Sequence, residues 1–386
     1  MTRLPTPDAA ALDHSARLRR LIEADIRAAG GWIPFARYME LALYAPGLGY
    51  YSAGARKLGA EGDFFTAPEI TPLFGHTLAR QAAQVLAATR GDIFELGAGT
   101  GKLALQLLLE LERLEALPAA YSILEVSAEL RERQQAWLRA TAPHLLSRVR
   151  WLERLPERIS GLVLANEVLD ALPVHAVAWR DTGLFERGVA VENSAFAWSE
   201  RPLAPGALRS AAEKLRLSGG YLSEIGLAGR GLVASLARAL VRGAILFLDY
   251  GFGRAEYYHP QRAQGTLMCH YRQLAHDDPF SHVGLTDITA HVDFTAVAES
   301  ALARGAQLLG YTTQGHFLVN CGITELLARV PPTDPTYLAL AVGVQKLLSP
   351  SEMGELFKVM ALGKGLAEPL LGFARGDRSR MLFTLE

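Results

Sequence analysis

The segment Ile93-Phe-Glu-Leu-Gly-Ala-Gly-Thr-Gly101 constrains this chain more than any other stretch. An apolar strand with one acid runs into three alternating glycines, and a helical run from Lys102 to Glu112 follows at once. Such a turn belongs at the carboxyl end of a parallel strand, where backbone amides and a helix N-terminus meet a nucleotide-like ligand. Glycine at 97, 99 and 101 lets the backbone take positive φ and lets a ligand approach it closely. Two familiar motifs fail on spacing. A dinucleotide fingerprint needs its third glycine at 102, which is Lys102, and a P-loop needs glycine at 96 and Ser or Thr at 103, which are Leu96 and Leu103. A dehydrogenase using NAD is disfavoured accordingly.

Bulk properties exclude several function classes. With 386 residues, 50% of them hydrophobic, the chain can bury the core of two domains, or of one domain with large insertions. A net charge of -1 argues against a protein devoted to phosphate backbones, so no nucleic-acid partner is expected. Cys269 and Cys321 are too far apart to suggest a disulfide framework, and His270, His276, His282 and His291 follow no zinc spacing, so no metal is expected. The N-terminus lacks a leader pattern, Asp8 and Asp13 oppose a transit peptide, and no apolar run reaches the roughly 18 residues needed to span a bilayer. The expectation is a cytoplasmic protein without a membrane partner.

Along the chain, Leu18, Leu21, Ile22 and Ile26 mark an amphipathic helix over 15–29, ended by Gly30-Gly31, and a second helix is expected over 34–44. Residues 46–66 are glycine-rich and aromatic, too long for a plain connector, and read as a covering loop. A helix over 71–86 leads into the glycine-loop strand. Strands at 92–96, 120–125, 148–152, 161–166 and 244–249 then alternate with helices at 101–115, 128–140 and 228–241, the pattern of a parallel sheet. Strands at 306–313 and 379–385, with a helix at 294–304 before them, complete seven. Two excursions leave the sheet's carboxyl edge, where open α/β sheets bind ligands. One, over 174–227, is a β-rich flap with strands at 174–179, 184–191 and 196–199; the other spans 251–293. The expected organisation is an N-terminal helical cap with a cofactor-covering loop over 1–85 and a catalytic domain over 86–386.

With dinucleotide and P-loop readings set aside, E-x-G-x-G-x-G is the pattern of Rossmann-like class I methyltransferases that use S-adenosyl-L-methionine (SAM). In that reading Gly97, Gly99, Thr100 and Gly101 cradle the amino-acid tail of SAM, and Glu95 holds the loop or receives the ammonium group. Glu125, closing the second strand, is placed to accept ribose hydroxyls. Glu153, after the third, is either an adenine contact or a solvated acid. Asp63, Thr66 and Glu69 are expected to fold over the cofactor, with capping of the following helix by Thr66 or Asp63 as the alternative.

The fourth strand ends in Asn166-Glu167-Val-Leu-Asp170-Ala-Leu-Pro173. Glu167 and Asp170 can share one face of a helical turn and, with Asn166, orient a protonated nitrogen and take up its proton during transfer; capping by Asn166 or Asp170 is the plainer alternative. Asp249-Tyr250-Gly251 ends the fifth strand, and Asp287, His291 and Asp293 lie in the second excursion, either facing a cationic peptide or bonding the loop to itself. No Asn-Pro-Pro-aromatic tetrad is present, which weakens a methylase of base or amide nitrogens.

Together with Gly62-Asp-Phe-Phe-Thr-Ala-Pro-Glu-Ile70 and Asp287-Ile-Thr-Ala-His-Val-Asp-Phe294, these segments resemble the MidA family, from about Leu21 to the C-terminus. That group includes bacterial proteins and a mitochondrial arginine methyltransferase of complex I assembly. The resemblance implies a SAM-dependent enzyme acting on an arginine-containing protein, such as a respiratory-complex subunit. It matches Gly97, Gly99, Gly101 and Glu125 to cofactor positions, and Glu167 and Asp170 to the acidic segment. The paired-glutamate hairpin of mainstream arginine methyltransferases is absent in its usual spacing. Two alternatives stay open: methylation of a small-molecule or RNA nitrogen, and a SAM-binding assembly factor without catalysis. The oligomeric state is open, a homodimer included.

Overall fold

A computed structural model describes residues 4–52 and 66–383. Its centre is a twisted sheet whose strands run, edge to edge, Gln307–Thr313, Phe357–Lys364, Leu240–Phe252, Ile159–Asn166, Asp92–Leu96, Tyr121–Leu124 and Val149–Leu152. A two-residue strand, Val292–Asp293, adds to the end of Leu240–Phe252. The five strands from Leu240–Phe252 to Val149–Leu152 are parallel, while Phe357–Lys364 lies antiparallel to both its neighbours. Leu162–Ala165 and Ala244–Leu248 are unbroken apolar runs because helices cover both faces of the sheet, and every residue in them is buried. Gly161 and Gly243 let the central strands approach. A Cβ on Gly243 would stand 1.8 Å from the Gly161 carbonyl oxygen.

Helices Leu73–Thr89 and Lys102–Arg113 pack on one face of the sheet, and Leu227–Ala239 and Phe294–Leu302 on the other. The N-terminal helices Ala9–Ala28 and Phe35–Tyr44 share a separate apolar cluster with the flap. In it Phe35 meets Trp198, and Tyr38 meets Phe196 and Phe280 edge-on. The flap is an antiparallel sheet of His175–Arg180, Gly183–Glu192, Ala195–Pro202 and Tyr221–Ile225, joined by Ile33–Pro34. A small sheet of Met268–Tyr271, Leu274–His276 and Asp287–Thr289 lies in the second excursion.

The class I methyltransferase sheet expected from the alternating pattern is present, with differences in detail. The last strand is Phe357–Lys364, not 379–385; Ser379–Leu382 is a short 3-10 turn, and Met381 is 63% exposed. The first helix begins at Ala9, and Leu21, assigned to its apolar stripe, is 38% exposed while Leu18, Ile22 and Ile26 are buried. Tyr221–Ile225 and the helix Ala207–Leu215 are additions to the expected flap. Asp249-Tyr250-Gly251 lies inside its strand rather than at the end.

Candidate functional site

At the carboxyl edge of the central sheet lies one cavity of about 1580 Å³, lined by the glycine loop, Glu125, the turn after the fourth strand and the second excursion. Single small-ligand pockets run to roughly 300–1,000 Å³, so this one has room for two reactants. Gly97, Gly99 and Gly101 all adopt positive φ, at 62°, 54° and 83°. The Gly97 amide donates to the Leu124 carbonyl at 3.0 Å, tying the loop to the second strand, and Gly101 stands just before the helix Lys102–Arg113. A Cβ on Gly101 would come within 3.3 Å of the Gln134 side chain, so the cradle is closely walled as well as strained.

Two buried acids flank this loop. Glu95 accepts a hydrogen bond from the Tyr121 hydroxyl at 2.8 Å. Burial pushes its carboxyl up to about 7, against the pull of that bond. Glu125 accepts from the Ser127 amide at 3.0 Å and from the Gln134 amide nitrogen at 3.2 Å, and burial raises it as well. The same Gln134 nitrogen donates to the Gly99 carbonyl at 2.9 Å, while the Gln134 oxygen accepts from Trp151 at 2.9 Å. Gln134 thus braces the loop against the Glu125 strand. Sequence reasoning missed it; the available signal was an amide on the buried face of an otherwise charged helix.

Thr100 donates to Glu69 at 2.5 Å, and Lys102 also bonds Glu69. Glu69 therefore bridges the short helix Ala67–Ile70 to the loop. Thr66 precedes that helix without a side-chain capping bond and lines the cavity, while Asp63 lies outside the described residues. Glu153 is not among the lining residues; its side chain is 84% exposed and pairs with Arg131 at 3.4 Å.

Asn166, Glu167 and Asp170 come together on the wall facing the glycine loop. Glu167 has φ 52°, a left-handed conformation that costs a non-glycine residue about 1–2 kcal/mol. Its amide is held by the Leu248 carbonyl at 2.8 Å, and Asn166 donates to its carboxylate at 3.2 Å. Burial first, and then the neighbouring Asp170, push the Glu167 carboxyl up to about 8. Asp170 does not cap a helix. Its Oδ2 accepts from the Tyr250 hydroxyl at 2.6 Å, its Oδ1 is buried without a partner, and burial lifts its carboxyl to about 6. Asp249, behind the turn, is raised by burial and by Asp170 and Glu167.

The second excursion divides. Asp287 lines the cavity and accepts from the Tyr51 hydroxyl at 3.0 and 3.2 Å. His291 also lines it, stacked on Phe252 at 5.3 Å, and burial lowers its imidazole to about 4, leaving it neutral. Asp293 is a capping residue: its carboxylate accepts from the Ala296 amide at the start of Phe294–Leu302. Among the described residues no group of three or more His, Cys, Asp or Glu side chains is arranged to hold a metal.

Residues 77–312 match the family model described as "Putative S-adenosyl-L-methionine-dependent methyltransferase". A crystal structure of a Burkholderia thailandensis protein bound to S-adenosyl-homocysteine superposes with a TM-score of 0.95 at 51% identity, covering 98% of this chain and 100% of that one. The zebrafish protein arginine methyltransferase NDUFAF7, mitochondrial, is 30% identical over 86% of this chain and 84% of its own length, and the bovine one is 30% identical over 86% and 80%. These relatives are named as mitochondrial proteins, which overturns the cytoplasmic location expected from the missing leader pattern. No helix among the described residues is long and apolar enough to cross a membrane.

Proposed function

Because the chain belongs to the S-adenosyl-L-methionine-dependent methyltransferase family whose model spans residues 77–312, and so is an enzyme of that class, we propose that its methyl acceptor is an arginine side chain of a protein. The observation that carries this reading is the acidic wall. Glu167 and Asp170, from the turn after the fourth strand, and Asp287, from the second excursion, line the same cavity as the glycine loop. Glu167 and Asp170 stand above the ordinary carboxylate range because they are buried, and for Glu167 the neighbouring acids add to it. A cation relieves such a cluster, and guanidinium brings five donors in a fixed fork that matches carboxylates. The names of the vertebrate relatives agree with this acceptor.

The residues fit the cofactor. The positive-φ cradle of Gly97, Gly99 and Gly101, with Thr100, would hold its amino-acid tail; Glu95 would stabilise the ammonium end and Glu125 the ribose hydroxyls, with Thr66 beside them. When bound, SAM supplies an electrophilic methyl on a sulfonium. The protein's own contribution lies in the turn. Glu167 and Asp170, ionised, concentrate the positive charge of a guanidinium on the nitrogens they touch, which leaves a lone pair on the remaining nitrogen. Asn166 steadies Glu167, and Glu167 takes up the one proton that the guanidinium group as a whole sheds when that nitrogen becomes alkylated. The helix Phe35–Tyr44 contributes Arg37, Glu40 and Tyr44 to the cavity and the flap over 174–227 contributes His175, forming a wall for the peptide. A respiratory-complex subunit is one protein that would suit it.

Methyl-labelled SAM incubated with the enzyme and a cell extract, followed by acid hydrolysis, tests the acceptor. Label recovered as methylarginine supports this reading. Label confined to other residues, to RNA or to small molecules overturns it.

A further inference from the structure

The turn that carries Glu167 and Asp170 is fastened from behind by the neighbouring strand, Leu240–Phe252. We propose that Asp249 and Tyr250 are a paired positioning unit for methyl transfer: Asp249 fixes the backbone of the acidic turn, and Tyr250 fixes the Asp170 carboxylate so that Oδ1 alone faces the acceptor. The proposal rests on the reading of this turn as a clamp for guanidinium.

Asp249 is 1% exposed and lies outside the cavity lining, so it cannot touch a reactant. Its Oδ2 accepts from the Leu169 amide at 2.9 Å and the Asp170 amide at 3.3 Å, and its Oδ1 from the Tyr250 amide at 3.0 Å. Both oxygens are committed to backbone donors. One residue earlier, the Leu248 carbonyl takes the Glu167 amide, so the left-handed conformation at Glu167 is held by its surroundings. Tyr250 does reach the cavity. Its ring is fixed edge-on against His291 at 5.2 Å and Phe357 at 5.4 Å, and its hydroxyl spends its proton on Asp170 Oδ2. Asp170 is 5% exposed, and its other oxygen has no partner. A carboxylate held by one oxygen and unpartnered at the other keeps acceptor capacity for a single further donor. A buried orphan acceptor otherwise costs about 1–3 kcal/mol, which a ligand's N–H would offset.

Asp249→Asn and Tyr250→Phe separate the two roles. S-adenosyl-homocysteine affinity within about threefold of wild type shows that each variant is folded. In Asp249→Asn, hydrogen exchange over residues 166–172 should accelerate by about tenfold or more while the 97–101 segment is unchanged. Unchanged exchange at 166–172 removes Asp249 from its role. For Tyr250, the probe is acetyl-arginine amide, titrated with S-adenosyl-homocysteine present across pH 5–9. Glu167, Asp249, Asp287, Tyr44, Tyr51 and Tyr250 all bear electrostatically on or near Asp170. Of these, Tyr250 supports ionised Asp170 by a hydrogen bond. Its loss should move the midpoint of binding to higher pH. Affinity on the acid side should then fall about tenfold for every pH step of one that the midpoint moves, and recover at high pH. A loss equal at every pH, or none, overturns the role of Tyr250. Failure of wild type to bind the probe sinks the arginine reading instead, while the exchange measurement still decides Asp249.

Discussion

Glu167 combines a strained backbone, a hydrogen-bonded side chain and a carboxyl held near 8. Below that pH it carries a proton in the acceptor-free enzyme, so methyl transfer at saturating SAM should rise with pH and level off above about 8. Glu167→Gln should leave SAM affinity nearly intact, lower turnover by about 10²–10⁴ and flatten the rise; unchanged turnover removes Glu167 from the chemistry. Glu95 gives a stability effect of its own. Its folded-state value near 7 exceeds the ordinary value of 4.5, so the folded protein holds the proton more tightly. That contribution is complete below about 4.5 and disappears as pH rises through 7. Glu95→Gln should therefore lessen the fall in denaturant midpoint between pH 5 and 8, measured by urea unfolding.

Elements differed in how plainly the sequence announced them. The glycine loop was legible because positive φ is a local demand that only glycine meets cheaply, and all three glycines adopt it. The acids of Asn166 to Asp170 were legible as a cluster. Their fastening to Asp249 and Tyr250, some 80 residues away, was not, because pairing between parallel strands leaves no trace in local spacing. Residues 379–385 misled because Met381-Leu382-Phe383 is a short apolar run, which strands and other buried segments share; Met381 and Phe383 lie exposed, whereas the unbroken run Val359–Leu362 takes the doubly covered place in the sheet. Asp293 had two roles open and took the local one. In the flap, the turn between Gly183–Glu192 and Ala195–Pro202 puts Asn193 and Ser194 at φ 47° and 60°. That is the two-residue hairpin geometry that prefers Asn-Gly. Ser194→Gly should stabilise the protein by about 0.5–1 kcal/mol in thermal unfolding, with methyl transfer unaltered.

Cap, flap and sheet all contribute residues to the wall of this cavity, so ligand occupancy should be felt across the fold. SAM at about 100 times its dissociation constant should add about 2.7 kcal/mol to stability and raise Tm. Gly99→Val places a β-branched residue at φ 54°, beside a carbonyl that Gln134 braces. It should abolish both the binding heat and the ligand-induced rise in Tm in calorimetry; a retained rise would mean the cofactor sits elsewhere.

Glycine loop and acidic turn open into one undivided chamber. Donor and recipient can stand in it together, and direct handover dispenses with any alkylated enzyme waiting between two half-reactions. The spent nucleoside and the modified chain must both leave that chamber, so the slower of the two departures governs how soon the next round begins.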